Sequence, residues 1–253
     1  MKVTACPFPL LFLRSQWLTT WPLLGPKAFD ELAQKYAEPG RHYHTLWHVA
    51  DCLRELEGVS ASISLSANQA ARLAFFYHDA FYTTSAPDMV NSDDYITKNQ
   101  NSPDRGFWTN SASINRILCN EERSALLAQH RLEEAGMHTL VDEVVSYIRA
   151  TTHQKVPEKS TERVFVDIDL SILGRDEETY RRYALGIRKE YGEYSDEVYR
   201  AGRAAFMERF LSRKSLYHTR YFREKYERQA RENIKEELGF LNGKKPLNQY
   251  FMA

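Results

Sequence analysis

The segment at 68–77 is apolar on nearly every side, with Ala70, Ala71, Leu73, Ala74, Phe75 and Phe76 crowded into one short run. A helix that is apolar all round has to be enclosed by other elements, so this run forces a core to form around itself. Two polar residues, His78 and Asp79, stand at its C-terminal end and are thereby held at a fixed, inward position. Taken alone, Asp79 can merely cap the next turn, and a buried histidine is more often a satisfied structural residue than a ligand. His48 upstream and Asp169 downstream change that balance. Two imidazoles and two carboxylates from separated segments are what a closed helical fold needs to hold one divalent metal in a mixed nitrogen and oxygen shell.

The remaining sequence predicts an all-α chain. Leu46, Val49, Leu53 and Leu56 recur at three- and four-residue steps and build one apolar face beside His48. Helices are expected at 121–135, started by an Asn120 cap, and at 138–151, with Gly136 between them. Three more are expected at 177–191, 195–212 and 219–238, with Ser195 and Thr219 as caps. The run 164–170 alternates like a strand, yet no second strand-like run exists to pair with it. It reads as a buried helix or an extended connector, and within it Asp167 competes with Asp169 as a ligand.

At 253 residues and 43% hydrophobic content the chain can fill the core of a single domain, here expected at 16–240. Residues 1–15 read as an N-terminal extension and 241–253 as a tail. A polar stretch at 85–113, with Pro87, Pro103 and Gly106, reads as a long loop insertion. Its root follows the His-Asp pair closely, so it is either a lid over a substrate or a passive surface loop.

The 34 basic and 34 acidic side chains cancel, which leaves no global field to recruit nucleic acid or an anionic membrane. Arg and Lys interleave with Tyr217, Tyr221, Phe222 and Tyr226 near the C-terminus, but Glu224, Glu227 and Glu232 interrupt them at helical spacing, the pattern of a solvated face with internal ion pairs. The three cysteines, Cys6, Cys52 and Cys119, show no CxxC spacing. That argues against a disulfide framework or a cysteine-based zinc site and favours a reducing, cytoplasmic setting. No run is long enough to span a bilayer. His44 and His48 are four residues apart, as in zinc proteases, but Thr45 stands where such an enzyme needs a glutamate.

The segments Arg41-His42-Tyr43-His44-Thr45-Leu46-Trp47-His48, Phe76-Tyr77-His78-Asp79-Ala80-Phe81-Tyr82, Asn120-Glu121-Glu122-Arg123-Ser124-Ala125 and Asp169-Leu170-Ser171-Ile172-Leu173-Gly174 follow one another in this order. Together they resemble a subgroup of predicted phosphohydrolases in the HD-domain superfamily of metal-dependent enzymes, an all-helical fold. The likeness runs from about Trp17 to about Leu238. The stretch between Tyr82 and Asn120 is longer than in that subgroup, which bears on substrate choice more than on chemistry.

The resemblance implies that His48, His78, Asp79 and Asp169 hold the metal, and it favours Asp169 over Asp167. Glu121 is then a candidate to take the proton of the attacking water, although a first-turn glutamate is also what a helix dipole favours. His153 is a second candidate for the catalytic machinery. Arg41 and His44, and alternatively Arg182, Arg188 and Arg203, are candidates to meet the substrate's phosphate. The implied reaction is hydrolysis of a phosphate ester in a nucleotide or another small phosphorylated metabolite. A histidine-rich shell suits Mn, Fe, Co, Ni or Zn better than Mg. Two rival readings are a di-iron oxygenase, with His44 and His153 as extra donors, and a non-catalytic nucleotide-binding module of the same fold.

Overall fold

The computed structural model describes residues 9–84, 118–153 and 155–243. The described residues form ten α-helices and no strand, as the periodicity leads one to expect. They divide into two compact units, the first built from 9–39 with 44–155 and the second from 40–43 with 156–243. The expected insertion at 85–113 and most of the tail at 241–253 lie outside the described residues.

In the first unit, α1 (Leu10–Thr20) and α2 (Gly25–Tyr36) precede α3 (Leu46–Val59) and α4 (Leu65–Tyr77). Then follow α5 (Asn120–Glu134) and α6 (His138–Ala150). The apolar helix α4 is the centre of this unit and packs against α3, α5 and α6. Its Leu73, Ala74, Phe75, Phe76 and Tyr77 are buried, each large side chain contributing about 1.5–3 kcal/mol by leaving water. Helix α1 covers the same end: the Trp17 ring meets Phe76 edge-on at 5.1 Å and lies 6.1 Å from Tyr77. Because Leu13 and Trp17 are both buried, α1 continues through the boundary expected at residue 15.

Short polar side chains start two of these helices. The Thr45 hydroxyl accepts from the Trp47 amide at the head of α3, and the Ser64 hydroxyl accepts from the Ala67 amide at the head of α4. Helices α5 and α6 are separated at Gly136, whose φ of +71° suits a residue without a Cβ. Asn120, expected as a cap, is instead the first residue of α5. Its amide is drawn away by a tertiary contact with the Thr83 backbone.

In the second unit, the ambiguous run at 164–170 resolves into α7 (Ser160–Asp169) and a short 3-10 helix, Leu170–Gly174. Phe165, Val166, Asp167 and Ile168 are buried in succession, so the run lacks the one-sided pattern that marks a surface helix. Helices α8 (Glu177–Glu190), α9 (Asp196–Leu211) and α10 (Arg220–Leu241) follow. The expected caps Ser195 and Thr219 head α9 and α10. The face of α10 carries the ion pairs Arg220–Glu224, Arg228–Glu232 and Arg231–Glu227, all at four-residue spacing. No described helix is long and apolar enough to cross a membrane.

Candidate metal centre

Helix α4 ends at Tyr77, and His78 and Asp79 continue from it into the interior. The His78 ring is oriented from behind: its Nδ1 lies 3.0 Å from the Phe75 carbonyl. In the neutral ring Nδ1 donates there, which leaves the Nε2 lone pair facing outward, the arrangement that backbone carbonyls impose on metal-ligating histidines. His48, buried on α3, brings its own Nε2 to 3.1 Å from His78 Nε2. Asp79 Oδ2 lies 2.9 Å from His78 Nε2 and 3.6 Å from His48 Nε2. Two nitrogens and one oxygen thus converge, with the spacing of donors that share one ion.

Burial alone would raise the Asp79 carboxyl, but His78, His44 and His48 hold it far below the usual carboxylate range. His44 contributes from the rim: its ring stacks on Tyr82 at 4.0 Å and lies 6.0 Å from His48.

The segment Asn120–Ala125 places Glu121 beside this cluster through its neighbours. Asn120 accepts from the Thr83 amide and donates to the Thr83 carbonyl. The Ser124 hydroxyl accepts from the Phe81 amide at 3.0 Å. Buried Glu122 grips Arg149 of α6 through two hydrogen bonds of 2.7 and 2.8 Å. The chain just after His78-Asp79 is therefore tied to the start of α5, and α5 to α6. Burial pushes the Glu121 carboxyl above its ordinary range, repulsion from Asp79 adds to this, and His153 opposes it. His153 itself follows α6 with a φ of +55°, the one described non-glycine residue in the left-handed region.

Sequence reasoning missed one residue of this cluster. Cys52 is buried one turn beyond His48 on α3, with its sulfur 3.7 Å from His48 Nε2 and 3.8 Å from His48 Nδ1. The donor atoms of His48, Cys52 and His78 all lie within 4.8 Å of one another. The four-residue spacing of His48 and Cys52 was the available signal, since it puts both side chains on one helical face.

In the second unit, Asp167 and Asp169 are placed differently. Asp167 is buried and accepts from the His218 and Thr219 amides at 2.7 Å each, which fixes the approach to α10. Asp169 ends α7 and is only partly covered. The turn that follows it is held by α10 and the residues before it: Tyr217 donates to the Leu170 carbonyl, and Asn233 donates to the carbonyls of Leu173 and Arg175. At Gly174 a Cβ would fall 2.5 Å from Tyr226 Cβ, so only glycine permits this approach.

The arginines expected to meet phosphate also belong to the second unit, and several are engaged within it. Arg203 is buried against Glu237 and the Tyr183 hydroxyl. Arg188 binds Asp196 and the carbonyls of Tyr191 and Tyr194. Arg182 lies on an exposed face, paired with Glu178. Arg41 is buried in the 40–43 segment, where Glu190 accepts from the His42 and Tyr43 amides at 2.8 and 2.7 Å.

Comparison of the chain with protein-family models, curated proteins and solved structures returned no match.

Proposed function

We propose that this chain is a metal-dependent phosphohydrolase that releases phosphate from a nucleotide or another small phosphorylated metabolite. The observation that supports it best is the convergence of His48 Nε2, His78 Nε2 and Asp79 Oδ2 within 3.6 Å of one another. The donor set, two imidazoles and a carboxylate, is of the kind that suits a divalent transition ion. His48, His78 and Asp79 hold the ion in this reading. When bound, such an ion lowers the pKa of a coordinated water and polarises a phosphoryl oxygen.

The remaining roles fall to the chain's own groups. Glu121, half-buried and within electrostatic reach of Asp79, takes the proton of the attacking water. His153, which draws the Glu121 carboxyl down, assists that transfer. His44, stacked on Tyr82, offsets charge on the phosphate. A screen of nucleotides and sugar phosphates with Mn, Co, Ni, Mg and Zn, recording phosphate release, tests the reading. Release that depends on a transition ion is expected. A silent panel with metal demonstrably bound would contradict it.

A further inference from the structure

We propose that Glu190 is a positioning residue for the metal centre: by clasping the chain at His42 and Tyr43 it fixes where His44, the next residue, stands at the rim of the cluster. This role rests on the reading of His44 as a group that meets the substrate's phosphate, and deepens it by naming what holds His44 in place. Residues 40–43 belong to the second unit, whereas 39 and 44 belong to the first. That four-residue segment leads directly into His44 and, one helical turn on, the ligand His48.

One face of α8 makes the clasp. Glu190 is buried at its C-terminal end, and a single carboxylate oxygen, Oε1, accepts from the successive amides of His42 and Tyr43 at 2.8 and 2.7 Å. The two donors flank His42, so sharing one oxygen restricts the dihedral angles of the backbone there. One turn earlier, a Cβ at Gly186 would come within 3.1 Å of Tyr43 Cβ and 3.4 Å of the His42 carbonyl and the Tyr43 amide. Three residues before that, the Tyr183 ring meets the Tyr43 ring edge-on at 4.6 Å. Positions 183, 186 and 190 share one helical face. Tyr43 is thus located by a ring, its backbone by a carboxylate, and its close approach by the lack of a side chain at Gly186. His44 follows across one peptide bond, its Cα about 3.8 Å from that of Tyr43. Its own ring stacks on Tyr82 at 4.0 Å and lies 6.0 Å from His48. A rim group held by its ring alone can swing about its backbone, and a clasp on the two preceding residues removes that freedom.

The test is the imidazole NMR spectrum of the full chain labelled with ¹⁵N-histidine, the His44 signals being assigned by their loss in His44→Gln. Glu190→Ala is expected to shift the His44 signals and to leave those of His130, which pairs with Glu134 on α5, unchanged. Glu190→Gln keeps a side-chain oxygen able to accept from both amides and is expected to restore most of the wild-type position. In the zinc-loaded protein, Glu190→Ala should weaken the binding of inorganic phosphate by about tenfold, the low end for groups that orient a site from behind, with zinc content unchanged. Should Glu190→Ala fail to fold, Gly186→Ala crowds Tyr43 with the carboxylate intact and is expected to move the same signals. His44 signals that stay in place in whichever of these variants folds, or that move only together with those of His130, would overturn the positioning role. A wild type that binds zinc but not phosphate would instead overturn the phosphate reading of His44, and the imidazole shifts then decide the role of Glu190 by themselves.

Discussion

Each unit buries a polar cluster, and the two are built on opposite logic. In the second unit, Arg203 meets Glu237 through two hydrogen bonds of 2.9 and 3.2 Å, and the hydroxyls of Tyr180 and Tyr183 complete the shell. Cation faces anion, and the main hydrogen-bonding groups complement one another. In the first unit, His48, His78 and Asp79 bring atoms that can ligate a metal to a common point, and Cys52 and Glu121 stand near them. Complementary burial stabilises a fold only modestly but is costly to break. A convergent set of potential ligands is completed by a cation. The difference separates a buried network that organises structure from one that holds a ligand.

The largest expected effect comes from breaking the convergent cluster. His78→Ala or Asp79→Ala should remove bound metal and lower turnover by more than the roughly 100-fold typical of groups one step removed from a metal, with the far-ultraviolet helical signal unchanged. Full turnover in either variant would place the chemistry elsewhere. Breaking the complementary cluster should do the reverse. Arg203→Met strands Glu237 in the interior and should cost about 3–5 kcal/mol in chemical denaturation, while metal content per folded chain stays constant. A raised KM at unchanged stability would instead make Arg203 a substrate contact and erase the contrast.

How far these clusters can be read from sequence differs in the same way. The helices are legible because burial imposes a period, and His48, His78 and Asp79 are legible because an all-round apolar helix leaves few reasons for a polar pair at its end. The partners of Arg182, Arg188 and Arg203 are not, since sequence records a charge without saying which way it faces. Glu237, for example, lies on α10 whereas Arg203 lies on α9. Asn120 looks like a cap in sequence, but the Thr83 backbone 37 residues away claims its side chain. Cys52 was overlooked because cysteine sites are sought as paired CxxC motifs, whereas here a single thiol shares a helical face with a histidine.

A smaller effect sharpens the comparison through the ion itself. Chelation should lower the stability of the wild type by about 2.7 kcal/mol if the ion is present at a hundred times its Kd, measured as a fall in denaturation midpoint. It should leave the midpoint of His78→Ala where it is. An equal fall in both would mean that the chelator acts outside this cluster.

The smallest expected effect concerns His153, held at a φ of +55°. His153→Gly relieves a conformation that costs an ordinary side chain roughly 1–2 kcal/mol, so stability should rise by up to about 1 kcal/mol while turnover falls. A gain in stability with turnover unchanged would reduce His153 to a helix terminus.

The most direct measurement is the metal content of the purified chain, counted by mass spectrometry for the wild type and His78→Ala after the same reconstitution with Zn²⁺ or Co²⁺. One tightly held divalent ion per wild-type chain and a near-complete loss in the variant are expected. An equal metal content in the two proteins, or none in the wild type, would contradict the claim that His48, His78 and Asp79 converge to hold a metal.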